Sequence, residues 1–467
     1  MSQPSCRALF PAAWLIAFVL PGVAQQIDWN KVNEEAIRNY QSLVQIDSTA
    51  SEAGVAAFVK KTLEAEGISV TVAAKDPARP NIIARIKGNG SKKPLLMMGH
   101  SDTVKIDPAK WTFPPFSAAR NGGYFYGRGT IDDKSNLFAE MTVMILLKRT
   151  GLKLDRDVIF VSEAGEEGAS AIGMGYLVSD HFPEIEAETC LAEGGAVIRR
   201  GGVAKYAMVQ VLEKRSAGAK LVARGPSGHG SRPTQSNAIA HLGDAVAKLA
   251  YWDPPTRFND VTRAYFEKLA LVSEPEDAQR FKDLFDPVKS AAARHYLAVN
   301  EPGTYSMLHT SISPNVIQGG FQANVIPSEA TATLDIRAVP DEDMPAFYDL
   351  MRKVMNDPEV ELIPNATGNS QPIPAMSTTS DAYKVLEAAF EKVYGVMTLP
   401  TMATAATDMT RLRPRGVQCY GLGAARDDED TLKGFGAHSD QERLPEDSVT
   451  KHLAFYWAAV TGIAGTK

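Results

Sequence analysis

The 467-residue sequence predicts an α/β protein with a central mixed sheet flanked by helices, interrupted by a smaller inserted α+β domain. Short β-rich runs alternate with amphipathic helical patterns over residues 27–204 and again after residue 380, as in layered α/β domains. Between these two segments, longer alternating runs indicate an antiparallel sheet that carries helices. An inserted domain accounts best for this order.

The elements of the first segment follow from periodicity. Its amphipathic helices are predicted at 29–44, 54–66 and 135–149, where apolar residues recur near a 3.6-residue period. Its strands are predicted at 68–73, 81–87, 94–99, 158–162 and 188–192.

In the second segment, strands are predicted at 209–212, 219–223 and 330–336, and helices at 237–250 and 341–355. The charged, proline-punctuated stretch 252–305 is expected to be a surface elaboration of the insertion. A final helix is predicted at 446–463. The expected division is 25–204 and 371–467 for the first domain and 205–370 for the inserted domain.

Residues 1–24 resemble a secretory signal peptide. Arg7 is their only charge, Ala8 to Leu20 form an apolar stretch, and Gly22 to Ala24 supply the small residues of a cleavage site. A membrane anchor is the alternative, but the apolar stretch is shorter than the roughly 20 residues needed to span a bilayer. We expect a secreted or periplasmic protein.

Charge and cysteine content limit the classes of partner. The net charge of −6 carries no basic excess, which argues against a nucleic-acid-binding protein. No later apolar run is long enough for a bilayer span, so we expect no membrane association after signal removal. Outside the signal, Cys190 and Cys419 could form at most one disulfide, and the sequence does not decide whether they pair.

Histidines and acids recur near the ends of the predicted strands. His100 and Asp102 are two residues apart, so on an extended chain they face the same side, although such pairs are often only structural. Asp132 follows a glycine-rich turn and could instead be a helix cap. The acids in Ser162 to Gly168 could be solvated loop charges, while Glu193 and His438 occur in further glycine-containing segments.

Together these residues form a plausible cage for two divalent cations, because the carboxyl ends of strands are where open α/β sheets build their sites. Zn²⁺ is the expected metal, with Mn²⁺ or Co²⁺ as alternatives. Asp132 would bridge both cations, His100 and Glu193 would complete one, and Glu167 and His438 the other. Glu166 would be the general base, and Asp102 would orient His100.

Eight ordered motifs resemble the two-zinc exopeptidases that include glutamate carboxypeptidase, aminoacylase and carnosinase, nearest the carboxypeptidase S and N-acyl amino acid hydrolase branch. These motifs are GHSDTV, YGRGTIDDK, SEAGEEG, LAEGG, GHGSRP, NVIPSEATATLDIRAVP, ATDMTR and GAHSDQE. The resemblance implies a zinc-exopeptidase-like catalytic domain with the same ligands and base, and a cis peptide between Asp132 and Asp133.

The resemblance also implies that the inserted domain 205–370 is a lid over the catalytic domain, and that two lid residues bind substrate. His229 matches a histidine that contacts substrate and can come from a partner subunit, and Arg337 matches an arginine associated with the substrate carboxylate. Without the resemblance, His229 could be a simple turn residue and Arg337 a surface ion pair. A homodimer through the lid domain is a further expectation.

The expected function is hydrolysis of a peptide bond next to a free C-terminal carboxylate, by hydroxide that the metals activate. Small peptides would then be the substrates of a carboxypeptidase or dipeptidase. An N-acyl amino acid amidohydrolase of the aminoacylase type is the alternative, because the same metals serve both reactions. A non-catalytic binding protein on the same fold is a more remote alternative, since no expected ligand is missing.

Overall fold

A ten-stranded mixed sheet forms the centre of the protein, in a computed structural model that describes residues 27–365 and 373–466. Four neighbouring strands run parallel, so their carboxyl ends meet at one edge. Those four are Val158–Glu163, Leu95–His100, Thr189–Glu193 and Gln418–Leu422. The remaining strands are Val70–Ala73, Asn81–Ile86, Val203–Glu213, Ala196–Arg200, Ala425–Asp427 and Met397–Ala403.

Helices flank the large sheet. Lys134–Thr150 is buried over nearly its whole length, because apolar residues surround its axis and it packs against both the sheet and neighbouring helices. The predicted α/β class, with a central mixed sheet flanked by helices, is confirmed. The other long helices around this core are Trp29–Val44, Ala53–Ala65, Asp260–Val272, Asp381–Tyr394 and Glu446–Ala464.

A second, four-stranded antiparallel sheet has a core of its own. Buried and more exposed residues alternate along Glu329–Ala338, so one face of this sheet is covered. The helices Ala238–Ala250 and Met344–Met355 cover it. The other three strands are Ser311–Gly319, Arg215–Arg224 and Val360–Pro364. The chain first passes from the large sheet to this one at Lys214, whereas the predicted domain boundaries stay a prediction.

The structure corrects two expectations about the middle of the chain. The run 209–212 was expected in the antiparallel sheet, but it lies in Val203–Glu213 of the large sheet, with all four residues buried. The stretch 252–305 is not a mere surface elaboration. Its helices bury Phe266 and Leu297 in the same core as the large sheet, because each helix has an apolar face of its own.

Shorter elements complete the described chain. A two-stranded ladder pairs Gly228–His229 with Val325–Ile326, and a three-stranded sheet joins Ala119–Asn121, Tyr124–Tyr126 and Arg443–Pro445. The remaining helical segments are Pro108–Lys110, Met174–Asp180, Phe182–Ile185, Pro275–Asp283, Ser290–Asn300, Pro302–Ser306, Met409–Leu412, Arg413–Arg415 and Asp428–Asp430.

The expectations for the ends of the chain and for the cysteines have different outcomes. The predicted signal peptide, residues 1–24, lies outside the described residues. Within those residues, no helix has the length and hydrophobicity required to cross a bilayer. Cys190 and Cys419 are neighbours in register on adjacent strands, and both are buried free thiols.

Candidate metal-binding active site

The carboxyl ends of three neighbouring parallel strands bring predicted site residues together. His100 ends Leu95–His100, and Glu193 ends Thr189–Glu193. Glu166 and Glu167 lie in the loop that follows Val158–Glu163, the third of these strands. Register across the sheet therefore places side chains from three separate motifs at one edge, as the sequence predicts.

Asp132 lies between two histidines and presents a different carboxylate oxygen to each. Its Oδ1 is 2.8 Å from His100 Nε2, and its Oδ2 is 3.2 Å from His438 Nε2. Glu193 Oε2 lies 3.8 Å from His100 Nε2 on one side, and Glu167 Oε1 lies 2.9 Å from His438 Nε2 on the other. The five predicted ligands thus form two sets that share Asp132, which is the arrangement required of a bridging carboxylate.

Glu166 lies in the same cluster. Ligand atoms of His100, Glu166 and Glu193 lie within 4.8 Å of one another, and so do those of His100, Asp132 and Glu167. Proximity alone therefore does not distinguish the predicted base from the predicted ligands.

The histidines show that the site attracts positive charge. Burial opposes protonation of His100, yet hydrogen bonds to Asp102 and Asp132 hold its pKa well above the ordinary value. Hydrogen bonds to Asp132 and Glu167 raise the pKa of His438 to about 10. The carboxylates of the cluster therefore favour a positive charge beside them, which a bound cation would also supply.

Two acids of the cluster have raised pKa values. Burial raises the pKa of Glu166 to about 7, and burial also raises the pKa of Glu193 well above its usual range. A set of two imidazoles and three carboxylates, in which His100 is buried and the three acids are half-buried, suits two divalent cations such as Zn²⁺, Mn²⁺ or Co²⁺. The residues present therefore fit a dinuclear metal centre.

Asp102 connects His100 to the acidic loop. Its Oδ1 lies 3.5 Å from His100 Nδ1, and its carboxylate accepts the backbone N–H groups of Glu166 and Glu167 at 3.2 and 3.0 Å. The backbone carbonyl oxygen of Asp102 is 3.1 Å from His100 Nδ1. Because these contacts involve Nδ1, Nε2 of His100 faces Asp132. Asp102 therefore has the position expected of a residue that orients a metal-binding histidine.

Glu442 is a buried residue that the sequence analysis missed. Its carboxylate accepts the backbone N–H groups of Gly129, Ile131 and Asp132 at 3.0, 2.7 and 3.2 Å. It also pairs with buried Arg128 at 2.6 Å. The loop that carries Asp132 is thus fixed by a charge on the His438 loop. The available signal was the acid that ends the GAHSDQE motif.

The Asp132–Asp133 peptide bond is cis, as the family resemblance implies. The Asp133 carboxylate accepts hydrogen bonds from Asn136 Nδ2 at 2.6 Å and from the backbone N–H of His100 at 3.3 Å. Asn136 Oδ1 is in turn 2.7 Å from His452 Nε2. This buried chain of hydrogen bonds connects the site to the final helix.

A cavity of about 630 Å³ opens beside the cluster. Arg337 lines it and is paired with Asp335 at 3.0 Å, so both the substrate-binding and the ion-pair readings of this arginine have support. His229 is exposed and is absent from the described lining of this cavity. Its Nδ1 contacts Ser231 Oγ at 2.8 Å. The structure therefore brings Arg337 to the site, but not His229.

The stretch 252–305 and the residues directly after it contribute to the wall of the cavity, a role that the sequence did not indicate. Tyr265 lies in the stretch and Met307 follows it, and both line the cavity together with Tyr206 and Met402 of the large sheet. Arg426, from the sheet edge, also lines the cavity. These positions carried no motif, so only the tertiary packing reveals them.

Residues 96–461 match the family described as peptidase family M20/M25/M40. The chain belongs to this family. The resemblance read from the motifs is confirmed, and the prediction of a metal-dependent hydrolase is confirmed at the level of the family. A non-catalytic binding protein on this fold receives no support.

Two relatives agree with the branch that the motifs indicate. The probable carboxypeptidase S-like 2 of Dictyostelium discoideum is 30% identical over 68% of this chain and 62% of its own length. The N-fatty-acyl-amino acid synthase/hydrolase PM20D1 of Xenopus tropicalis is 26% identical over 78% of this chain and 71% of its own. The chain thus spans 62% of the first of these relatives.

Solved structures share the fold. A metallo-carboxypeptidase from Sulfolobus solfataricus superposes with a TM-score of 0.68 at 20% identity, over 91% of this chain and 98% of that one. Human carnosine dipeptidase 1 superposes with a TM-score of 0.64 at 15% identity, over 93% and 98%. At these identities the structural similarity establishes only the fold. The roles proposed for individual residues depend on the distances between their side chains in this protein.

Proposed function

We propose that the protein is a dinuclear metal-dependent exopeptidase, a carboxypeptidase or dipeptidase, that hydrolyses the amide bond next to a free C-terminal carboxylate. The observation that carries this proposal is Asp132, whose two carboxylate oxygens face His100 and His438 separately. One set of ligands would be Asp132, His100 and Glu193, and the other Asp132, Glu167 and His438. Glu166 is left to act on protons.

An N-acyl amino acid amidohydrolase is the second candidate. It is favoured by the similarity to the PM20D1 protein, whose name describes an N-fatty-acyl-amino acid hydrolase. Apolar side chains on the cavity wall, including Met208, Met307 and Met402, could accept an acyl group. Both candidates require the same chemistry at the amide bond and differ only in the group on its acyl side.

The residues of this chain have separable parts in the reaction. Bound cations would polarise the scissile carbonyl and lower the pKa of a water molecule. Glu166 faces the cavity and would accept a proton from the attacking water and return it to the leaving amine. Arg337 would bind the substrate carboxylate through its guanidinium fork, in place of part of its contact with Asp335.

His229 requires a further step, because it does not line the cavity as described. It could donate to the developing oxyanion after closure of the smaller sheet over the site, or from a second copy of the chain in a homodimer. We also propose that residues 1–24 direct export, so that the enzyme acts as a secreted or periplasmic protein.

A substrate panel tests the proposal. Dipeptides and N-acyl amino acids, each with a free carboxylate or the corresponding amide, are assayed with Zn²⁺, Mn²⁺ and Co²⁺. We expect hydrolysis of the free acids, loss of activity in a chelator, and recovery when metal is added back. The relative rates of dipeptides and N-acyl amino acids separate the two candidates. A metal-replete protein that cleaves no member of the panel would contradict both.

A further inference from the structure

Arg426 is a cationic residue at the site for which the mechanism above has no role. It lies on the short edge strand Ala425–Asp427 of the large sheet, paired in register with Ile198. Its side chain lines the main cavity together with Asp132 and Glu193. It also borders a smaller recess of about 120 Å³ that the same two acids line.

The guanidinium of Arg426 makes no ion pair or hydrogen bond with any residue in 27–365 or 373–466. The neighbouring Asp427 is different, because it is paired with Arg199 at 3.2 Å and accepts a hydrogen bond from Tyr124 at 2.6 Å. The other arginine in the main cavity, Arg337, is paired with Asp335 at 3.0 Å. Among Arg199, Arg337 and Arg426, only Arg426 has no protein carboxylate within ion-pair distance.

Desolvation makes this lack of a partner significant. Burial lowers the pKa of the Arg426 guanidinium, and Asp132 is the strongest of the charges that act in the opposite direction. A cation removed from water is costly unless an anion and hydrogen-bond acceptors replace the solvent. In the folded protein, Asp132 and after it Asp428 are the acids that offset the charge of Arg426, and neither is within ion-pair distance of the guanidinium.

Occupation of the metal centre would remove the larger part of that compensation. Two divalent cations would exceed the charge of the three ligand carboxylates, so Asp132 would no longer balance Arg426. Asp428, which is out of contact, would then be the acid left to offset a guanidinium beside a site with net positive charge. Its planar fork is suited to a carboxylate, which it can hold through two parallel hydrogen bonds.

We propose that Arg426 binds a second anionic group of the substrate, in addition to the α-carboxylate assigned to Arg337, so that the enzyme prefers dianionic peptides or N-acyl amino acids. The inference rests on the proposed function and specifies its substrate class. The second anion could be a carboxylate at the end of the acyl group or one on the side chain of the leaving amino acid. The chemistry recognised by Arg426 is the same in both.

Matched substrates separate these sources. N-succinyl-alanine is compared with its succinamoyl analogue, and the dipeptide Ala-Glu with Ala-Gln, because each pair differs mainly in one charge. We expect kcat/KM of the acid to exceed that of the amide by about tenfold or more in one pair, as expected for a charged hydrogen bond. The pair that shows the preference identifies the side on which the anion lies.

Substitution then connects this preference to Arg426. In Arg426→Gln the preference should fall to near one, with kcat/KM of the neutral analogue within about threefold of wild type. Arg426→Lys should retain part of the preference. Arg352→Gln, on an exposed helix surface where Arg352 pairs with Asp349, is the matched control and should leave it unchanged. Metal content is measured by elemental analysis for every variant.

Binding supplies a measurement that does not depend on turnover. Calorimetry on the metal-loaded Glu166→Gln variant should show tighter binding of the preferred acid than of its amide, and addition of Arg426→Gln should remove the difference. Absence of any preference in the wild-type enzyme, equal losses for acid and amide, or loss of metal in Arg426→Gln would each overturn the inference. An enzyme that cleaves none of the four substrates would overturn the proposed function, and calorimetry would then decide the role of Arg426 alone.

Discussion

The Glu442 carboxylate accepts a hydrogen bond from the backbone N–H of Asp132, at 3.2 Å, and thereby fixes the residue that faces both histidines. Glu442 is completely buried, and it also accepts the backbone N–H groups of Gly129 and Ile131 and pairs with buried Arg128 at 2.6 Å. The position of the proposed bridging carboxylate therefore depends on a charged residue outside the proposed set of metal ligands.

We expect Glu442→Gln to destabilise the protein by about 3 kcal/mol or more, because it breaks a buried ion pair and leaves Arg128 without its counter-charge. Metal affinity should also fall, since the backbone that presents Asp132 loses an acceptor. Chemical denaturation and metal titration measure the two effects. Glu429→Gln removes an acid that pairs at the surface with Lys433 at 3.7 Å and should change stability by less than about 0.5 kcal/mol. Equal effects of the two substitutions would contradict this role for Glu442.

The proposed metal ligands could be anticipated from sequence because each lies next to a local signal. Leu95–His100 is a buried strand that ends in a histidine, and Thr189–Glu193 is one that ends in an acid. Parallel pairing then brings their ends together, whichever order the strands adopt within the sheet. The alternation along Glu329–Ala338 similarly indicated a sheet with one covered face.

The remaining features depend on partners that are distant in sequence. Val203–Glu213 belongs to the large sheet because Met397–Ala403 and Ala196–Arg200 pair with it, and no local pattern names those partners. The apolar residues around Phe266 predict a helix with an apolar face. The sequence does not show that this face packs on the core of the large sheet. No hydrophobic periodicity marks Glu442. Its structural role depends on three backbone N–H groups of another loop, which donate to its carboxylate.

Asp132→Ala should impair both metal positions, because its two oxygens face different histidines. Removal of metal from the wild type should abolish activity and lower the melting temperature, since the ligand carboxylates repel one another without cations. Elemental analysis and thermal unfolding, with and without chelator, are the measurements. Fewer than one divalent ion per chain in a zinc-replete wild-type preparation would contradict a dinuclear centre.

Glu166 and Glu167 should differ in what their substitution removes. Glu166→Gln keeps the shape of the side chain but cannot accept a proton, so kcat should fall by about a hundredfold or more with metal content near wild type. Glu167→Gln should deplete metal, because Glu167 Oε1 faces His438 Nε2 at 2.9 Å. Kinetics and elemental analysis on the same preparations separate the two roles. Exchange of the two phenotypes would reverse the assignment of base and ligand.

Arg337→Ala should chiefly raise KM for substrates with a free carboxylate and should matter little for their amides, because it removes the cation that would hold the α-carboxylate. His229→Ala should chiefly lower kcat with both metals still bound. Steady-state kinetics on matched acids and amides measures the difference. If Arg337→Ala weakens acid and amide substrates equally, its contact with Asp335 is structural and the carboxylate is bound elsewhere.

Stability should fall in mild acid because of His452, which is fully buried on the final helix. Burial lowers its pKa to about 3, and its Nε2 lies 2.7 Å from Asn136 Oδ1. In the unfolded chain this histidine has an ordinary pKa near 6.5. Between about pH 6.5 and pH 3 it is therefore protonated in the unfolded chain but neutral in the folded chain, so the unfolded chain is favoured as the pH falls. This group alone should therefore remove about 2 kcal/mol of unfolding free energy between pH 7 and pH 5.

His452→Gln keeps a hydrogen-bond donor for Asn136 but does not titrate, so the free energy of unfolding of this variant should depend less on pH by that amount. Urea denaturation of both proteins in a chelator, across this pH range, makes the comparison without metal release. Parallel curves for the two proteins would show that His452 does not carry the effect.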